Sequence, residues 1–185
     1  MLNKGLRIAP VSLFFLIIIF YSSCTNNIEV IKNLTDIKNR PSLHGLKVEI
    51  IYSDSAVIQA KVEAPELKKF EITENPYLEF PKGIHIIHYK PDMTVESDVK
   101  AKYAKYFERD QLWQAKNDVI VTNTNKGEQL NTEELFWDEK KEILYSNVFT
   151  RIINASGVHY GNKGFEADQY MTKYKLKGAG GTITQ

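Results

Sequence analysis

Two histidines three residues apart, His85 and His88 in the run HIIH, are the nearest this chain comes to a metal pair. Imidazoles hold zinc when they converge with further nitrogen, sulfur or carboxylate ligands. On a strand, residues three apart point to opposite faces, so these two cannot share an ion. No HExxH motif lies near them, and the single cysteine, Cys24, is far away in sequence. Glu133, Glu134 and Asp138 gather carboxylates of the kind that do general acid and base work. Neighbouring strand residues diverge, however, and with Lys140 and Lys141 the group reads as a solvated face. A Ser-His-Asp arrangement has no GxSxG elbow to present it. Gly161, Gly164, Gly178, Gly180 and Gly181 precede no evident helix and so make no phosphate loop. The chain does not read as an enzyme, and no pattern in it calls for a cofactor or a metal.

The elements that carry these residues read as strands. From Val95 to Tyr103 the sequence alternates: Val95, Ser97, Val99, Ala101 and Tyr103 against Glu96, Asp98, Lys100 and Lys102. A period of two marks a strand with one dry and one wet face. At Tyr103–Ala104 the phase slips by one residue, the sequence mark of a bulge. Val99, Tyr103 and Phe107 also fall at helical spacing, but recurrence favours the strand. Shifted by 31 positions, Ala104 falls on Leu135, Tyr106 on Trp137 and Leu112 on Ile143. A weaker third copy begins at Phe165, and an earlier alternating pair covers Leu46–Tyr52 and Ala56–Ala64. Repeats of this length mean one supersecondary unit stacked on itself. Turn signals recur along the chain from Ser53-Asp54 to Gly164, which predicts an all-β domain over 46–185.

Before that domain stands a different kind of segment. Lys4 and Arg7 precede an apolar run, Val11–Tyr21, then Ser22-Ser23 and Cys24. A basic flank, a short apolar core and small residues read as a secretory signal peptide over 1–23. A lone cysteine just after it predicts a lipoprotein, with Cys24 as the lipidated N-terminus and 24–45 as a polar tether. An uncleaved anchor and a simple secretion signal are the alternatives. Each puts the folded part outside the cytoplasm, held to a membrane in the first two cases. Setting aside the first 24 residues removes Lys4 and Arg7 and no acid, leaving 22 basic against 23 acidic residues, net −1. That balance is no footprint for nucleic acid, which calls for a strongly basic surface.

Counting by phase gives an inward face of Val99, Ala101, Ala104, Tyr106, Trp113, Ala115, Val119, Val121, Leu130, Thr132, Leu135, Trp137, Val148, Phe165 and Ala167. It is either an ordinary packed core or the lining of an open sheet that holds an apolar ligand. Sheets built of repeats also leave an edge at each end, available to another chain's strand. The C-terminal edge is expected at Phe165–Leu176, with Phe165, Ala167, Gln169 and Met171 extending the lining and Lys173, Lys175 and Lys177 discouraging self-pairing.

Three motifs carry a family resemblance. They are Ala101, Ala104, Tyr106 with Leu112, Ala115, Asn117, Val119 and Val121; Gly127, Leu130, Thr132, Leu135 and Trp137; and Gly161, Gly164, Phe165, Ala167 and Asp168. Over about residues 46–177 the chain resembles the LptC family of lipopolysaccharide-export proteins. The resemblance implies a twisted, boat-shaped antiparallel β-jellyroll with an apolar groove. It implies a protein that accepts lipopolysaccharide from an inner-membrane ABC transporter and passes it to a periplasmic bridge protein of the same fold. It also implies a place on the periplasmic side of the inner membrane. Family members commonly keep a transmembrane helix, where this sequence shows a lipoprotein-like signal. A soluble lipid-binding chaperone and a structural surface lipoprotein are the other readings of the same residues.

Overall fold

Fourteen strands and no helix make up residues 40–183, the part described by the computed structural model. In chain order they are β1 (Leu43–Asp54), β2 (Val57–Phe70), β3 (Tyr77–Phe80), β4 (Ile84–Tyr89), β5 (Val95–Ala101), β6 (Tyr103–Phe107) and β7 (Leu112–Asn123). There follow β8 (Glu128–Asp138), β9 (Ile143–Ser146), β10 (Thr150–Asn154), β11 (Gly157–Gly161), β12 (Phe165–Asp168), β13 (Tyr174–Leu176) and β14 (Ala179–Ile183). Every pairing is antiparallel and all belong to one sheet, so the all-β domain expected from the alternation stands, in the jellyroll-like form that the family resemblance implies. The expectations for the signal segment, Cys24 and most of the tether lie outside the described residues.

Long strands hold this sheet together and short ones divide it. β2, β7 and β8 each present one edge to two successive short strands. β2 pairs β4 through Ala60–Glu63 and β3 through Lys68–Phe70. β7 pairs β6 through Leu112–Lys116 and β5 through Lys100-paired Ile120 to Asn123. β8 pairs β10 through Gln129–Thr132 and β9 through Phe136–Asp138. The result is two leaves hinged on shared strands. The first leaf holds β3, β6, β9, β12 and β13, and the second holds β4, β5, β10, β11 and β14.

The crease between the leaves is where the sequence slips phase. Lys102 separates β5 from β6, and Asn117 and Asp118 bulge out of β7 opposite Glu133. Both bulge residues have positive φ, 62° and 56°. Asn and Asp tolerate that left-handed conformation better than other non-glycine residues, which accounts for the Asn in the first motif. Lys47, at φ 52°, stands opposite Pro65, which has no N–H to offer the ladder. Each repeat contributes one such break, and stacked breaks fold the sheet along a line. The slip at Lys47 also corrects one expectation: Leu46 is exposed and pairs with Glu66, while Val48 turns inward opposite Ala64.

Folding along the crease presses the two inner faces together. Phe80, Ala104, Leu135 and Phe165 from the first leaf share a buried cluster with Ile84, Val121, Leu130 and Ile152 from the second. Phe80, Phe165 and Ile152 are fully enclosed. Burying side chains of that size contributes roughly 1.5–3 kcal/mol each, the main force holding the leaves shut.

Candidate functional site

Cross-strand register gathers the inward residues into rows. In the second leaf one row runs Ile50, Val62, Ile86, Val99, Val121, Leu130, Ile152. In the first leaf another runs Leu78, Tyr106, Trp113, Trp137, Leu144, Ala167, Tyr174. The inner faces of the two leaves are therefore mostly apolar, from β1 to β10 in the second leaf and from β3 to β13 in the first. All but one of the residues counted inward by phase lie on these inner faces. Val148 is the exception. It lies in the crossing between β9 and β10 and, 37% exposed, lines a cavity at the crease with Val119, Thr132, Phe149, Arg151 and Tyr160. Period counting fails there because Asn147–Phe149 are not in a strand.

Filling varies along the rows. Near the crease the interior is packed with side chains, whereas Ile50 and Tyr52 on the edge strand β1 are 39% and 64% exposed. The second-leaf row thus surfaces at one end. In the first leaf Trp113 stacks on Tyr106 with ring centres 4.6 Å apart, and Phe80 lies beyond it. Glu139 in the β8–β9 turn accepts from both Trp113 Nε1 and the Tyr106 hydroxyl. Burial, with the Glu139 charge second, pushes the Tyr106 phenol up to about 12, so it stays neutral.

Sequence reading missed the polar groups that set the crease. Thr132, Ser146 and Thr150 are buried with their hydroxyls linked at 3.2–3.3 Å, and Thr132 also donates to the Phe149 carbonyl. They pin the crossing segment to β8, the physical role of the threonine in the second motif. The glycines of the third motif are steric. A Cβ on Gly164 would meet the Ser146 oxygen at 2.0 Å, and one on Gly161 the Gly164 oxygen at 2.2 Å. Glu66 is buried beside Lys82, Lys68 and His44, and these partners, Lys82 foremost, hold its carboxyl at about 2.

The histidines part as strand geometry requires. His85 faces outward to Asp98 at 3.0 Å. His88 lies in the row with Ala60 and Ser97, and burial lowers its affinity for a proton. Among the described residues no cluster of three or more His, Cys, Asp or Glu could hold a metal ion.

The expected C-terminal edge needs correction. β12 is paired on both sides, with β9 and β13, so Phe165 and Ala167 are interior residues and not edge residues. Gln169 and Met171 fall in the β12–β13 turn, and Met171 is buried. Among the described residues the edges are β1 at one end and β13 with β14 at the other. A short closing hairpin reads in sequence like a terminal strand, since nothing local distinguishes them.

The chain matches the family described as lipopolysaccharide-assembly, LptC-related, over residues 11–179. It is a member of the LptC-related family. The match covers every repeat and begins at Val11, where the N-terminal apolar run starts. No curated protein matches the chain in sequence. Membership places this LptC-related protein in lipopolysaccharide transport, as a transport component with lipopolysaccharide and transporter or bridge proteins as its general class of partners. No helix among the described residues is long and apolar enough to cross a membrane.

Proposed function

We propose that this protein accepts lipopolysaccharide from the inner-membrane ABC transporter and passes it along its apolar interior to a periplasmic bridge protein of the same fold. The observation that carries this reading is the pair of inner rows, apolar over most of the sheet's width, of which the second-leaf row surfaces on the edge strand β1 at Ile50, next to the inward Tyr52. Acyl chains in water cost about 0.8 kcal/mol per methylene, so a carrier must cover them throughout the passage. A sheet whose inner face is apolar over most of its width does that without chemistry. Its neighbour can extend the same face by adding a strand to the free edge.

β1, open along twelve residues, receives lipid from the transporter side, and the β13 and β14 edge hands it on. Anchoring by a lipidated Cys24, or by an uncleaved apolar segment, holds the domain at the periplasmic face of the inner membrane. Photo-reactive residues test the reading. One at Tyr52, on the inner face, captures lipopolysaccharide, whereas one at Ile51, on the outer face of the same strand, does not. One at Leu46 captures the transporter and one at Lys175 the bridge protein. Equal capture of lipid at Tyr52 and Ile51 overturns the groove, and exchanged protein partners overturn the polarity.

A further inference from the structure

At the strand ends away from the crease, the rims of the two leaves meet. Lys126 Nζ, at the tip of the β7–β8 hairpin, donates to the Met171 carbonyl oxygen at 2.6 Å. Nearby, Asn154 Nδ2 of the second leaf donates to the Tyr174 hydroxyl of the first at 3.3 Å. Met171 itself leaves the turn to join the core cluster and is 6% exposed. We propose that the β12–β13 turn is a clasp over the C-terminal side of the interior, and that acyl chains pass Met171 when Lys126 releases it. This rests on the reading of the interior as a lipid path.

The closed clasp is built to open. Met171 is held at φ 52°, a left-handed conformation that an unbranched non-glycine residue adopts only at a cost. Glu128, two residues from Lys126, has its Oε2 buried without a hydrogen-bond partner. A buried orphan acceptor penalises the closed state and is relieved when water reaches it. The turn meanwhile keeps its own shape: the Asp168 carboxylate accepts from the backbone N–H groups of Tyr170, Thr172 and Lys173. It therefore swings as a unit instead of unravelling. Methionine suits the plug, because a flexible thioether gives way to an acyl chain and refills the space afterwards.

The chain has two tryptophans, Trp113 and Trp137, and both line the interior, so acyl chains brominated along their length quench its fluorescence on entry. The parent is the full chain with Cys24→Ala, and the probe is detergent-dispersed phosphatidylethanolamine brominated on both chains. Lys126→Met, on an exposed hairpin tip, removes the latch and speeds quenching roughly three- to tenfold. Lys126→Cys with Thr172→Cys, joined by a cleavable bismaleimide, slows it by a similar factor, and cleaving the bridge, which leaves no Lys126 latch, raises it to the fast rate of Lys126→Met. That reversal shows the bridged protein is folded. If the parent is quenched but the latch variant and the bridge both leave its rate unchanged, the clasp is overturned. If the parent is not quenched at all, the lipid-path reading itself fails.

Discussion

Gly164 sits at φ 95°, and any side chain there would meet the Ser146 backbone oxygen. Because backbone and not a movable side chain is in the way, Gly164→Ala should destabilise the domain by roughly 3 kcal/mol or more. Gly127 offers the contrast. Its φ is 62° but nothing lies within 4 Å of the added Cβ, so Gly127→Ala should cost only about 1 kcal/mol. Urea unfolding of the two variants separates steric closeness from conformational strain. Asp168 makes a third test. Its bonds to Thr172, and to three backbone N–H groups of the turn, hold its carboxyl at about 2, below the ordinary 3.8. A carboxyl held low in the folded state gives its full stabilisation above the unfolded value and loses it as pH falls toward the folded one. Asp168→Asn should therefore be less stable than the parent near neutral pH, and the gap should close between about pH 4 and pH 2. A gap that stays constant down to pH 2 would show that the ionised form is not what matters.

Strands differ in how many neighbours secure them. β7 is paired with β8 over its whole length on one side and with β5 and β6 on the other. Among the described residues β1 has β2 alone, and β13 has β12 alone. Local opening needs fewer broken contacts at an edge, so amide hydrogens exchange there with smaller protection. Amides of Val119, Val121 and Leu130 should exchange slowest, by several orders of magnitude relative to the outward amides of β1 and β13. If β1 proves as protected as β7 in the isolated domain, another chain already covers that edge. The same reasoning explains why a long edge carrying exposed Leu46, Ile51 and Tyr52 persists: it is an aggregation hazard unless a partner pairs with it.

For the whole molecule, the proposal turns on which face of β1 meets lipid. Ile50 and Ile51 are adjacent, both partly exposed, and point to opposite faces. Ile50→Arg sets a charge on the inner row, while Ile51→Arg leaves it in water. Neither side chain is enclosed, so both variants should fold with less than about 1 kcal/mol of change. Complementation of export should fail with Ile50→Arg and survive with Ile51→Arg. Ala101→Arg is a poorer test. Ala101 is buried in the cluster, and an arginine there unfolds the domain before it can block a lipid.

By itself the sequence determined that this chain is a sheet, that the sheet is built of a repeating unit, and which side chains face inward. Alternation, phase slip and a spacing of 31 residues are local, and a strand expresses them wherever it lies. Val99, Ala101, Ala104 and Tyr106 were readable for that reason, slip included. Tertiary structure decided what the slips do, because only stacked strands bring Lys102, Asn117–Asp118 and Asn147–Phe149 onto one crease. It also decided the partners of each edge. β12 and a terminal strand share one pattern, and only the pairing of β13 beyond it makes Phe165 interior. Phe80, Ile84 and Ile152, enclosed at the centre, escaped the phase count since apolar residues stand side by side in their strands, at Tyr77-Leu78, Ile86-Ile87 and Ile152-Ile153, and blur the period. The buried hydroxyls of Thr132, Ser146 and Thr150 likewise have meaning only once three strands meet, since a hydrogen bond across 14 or 18 residues leaves no mark on sequence spacing.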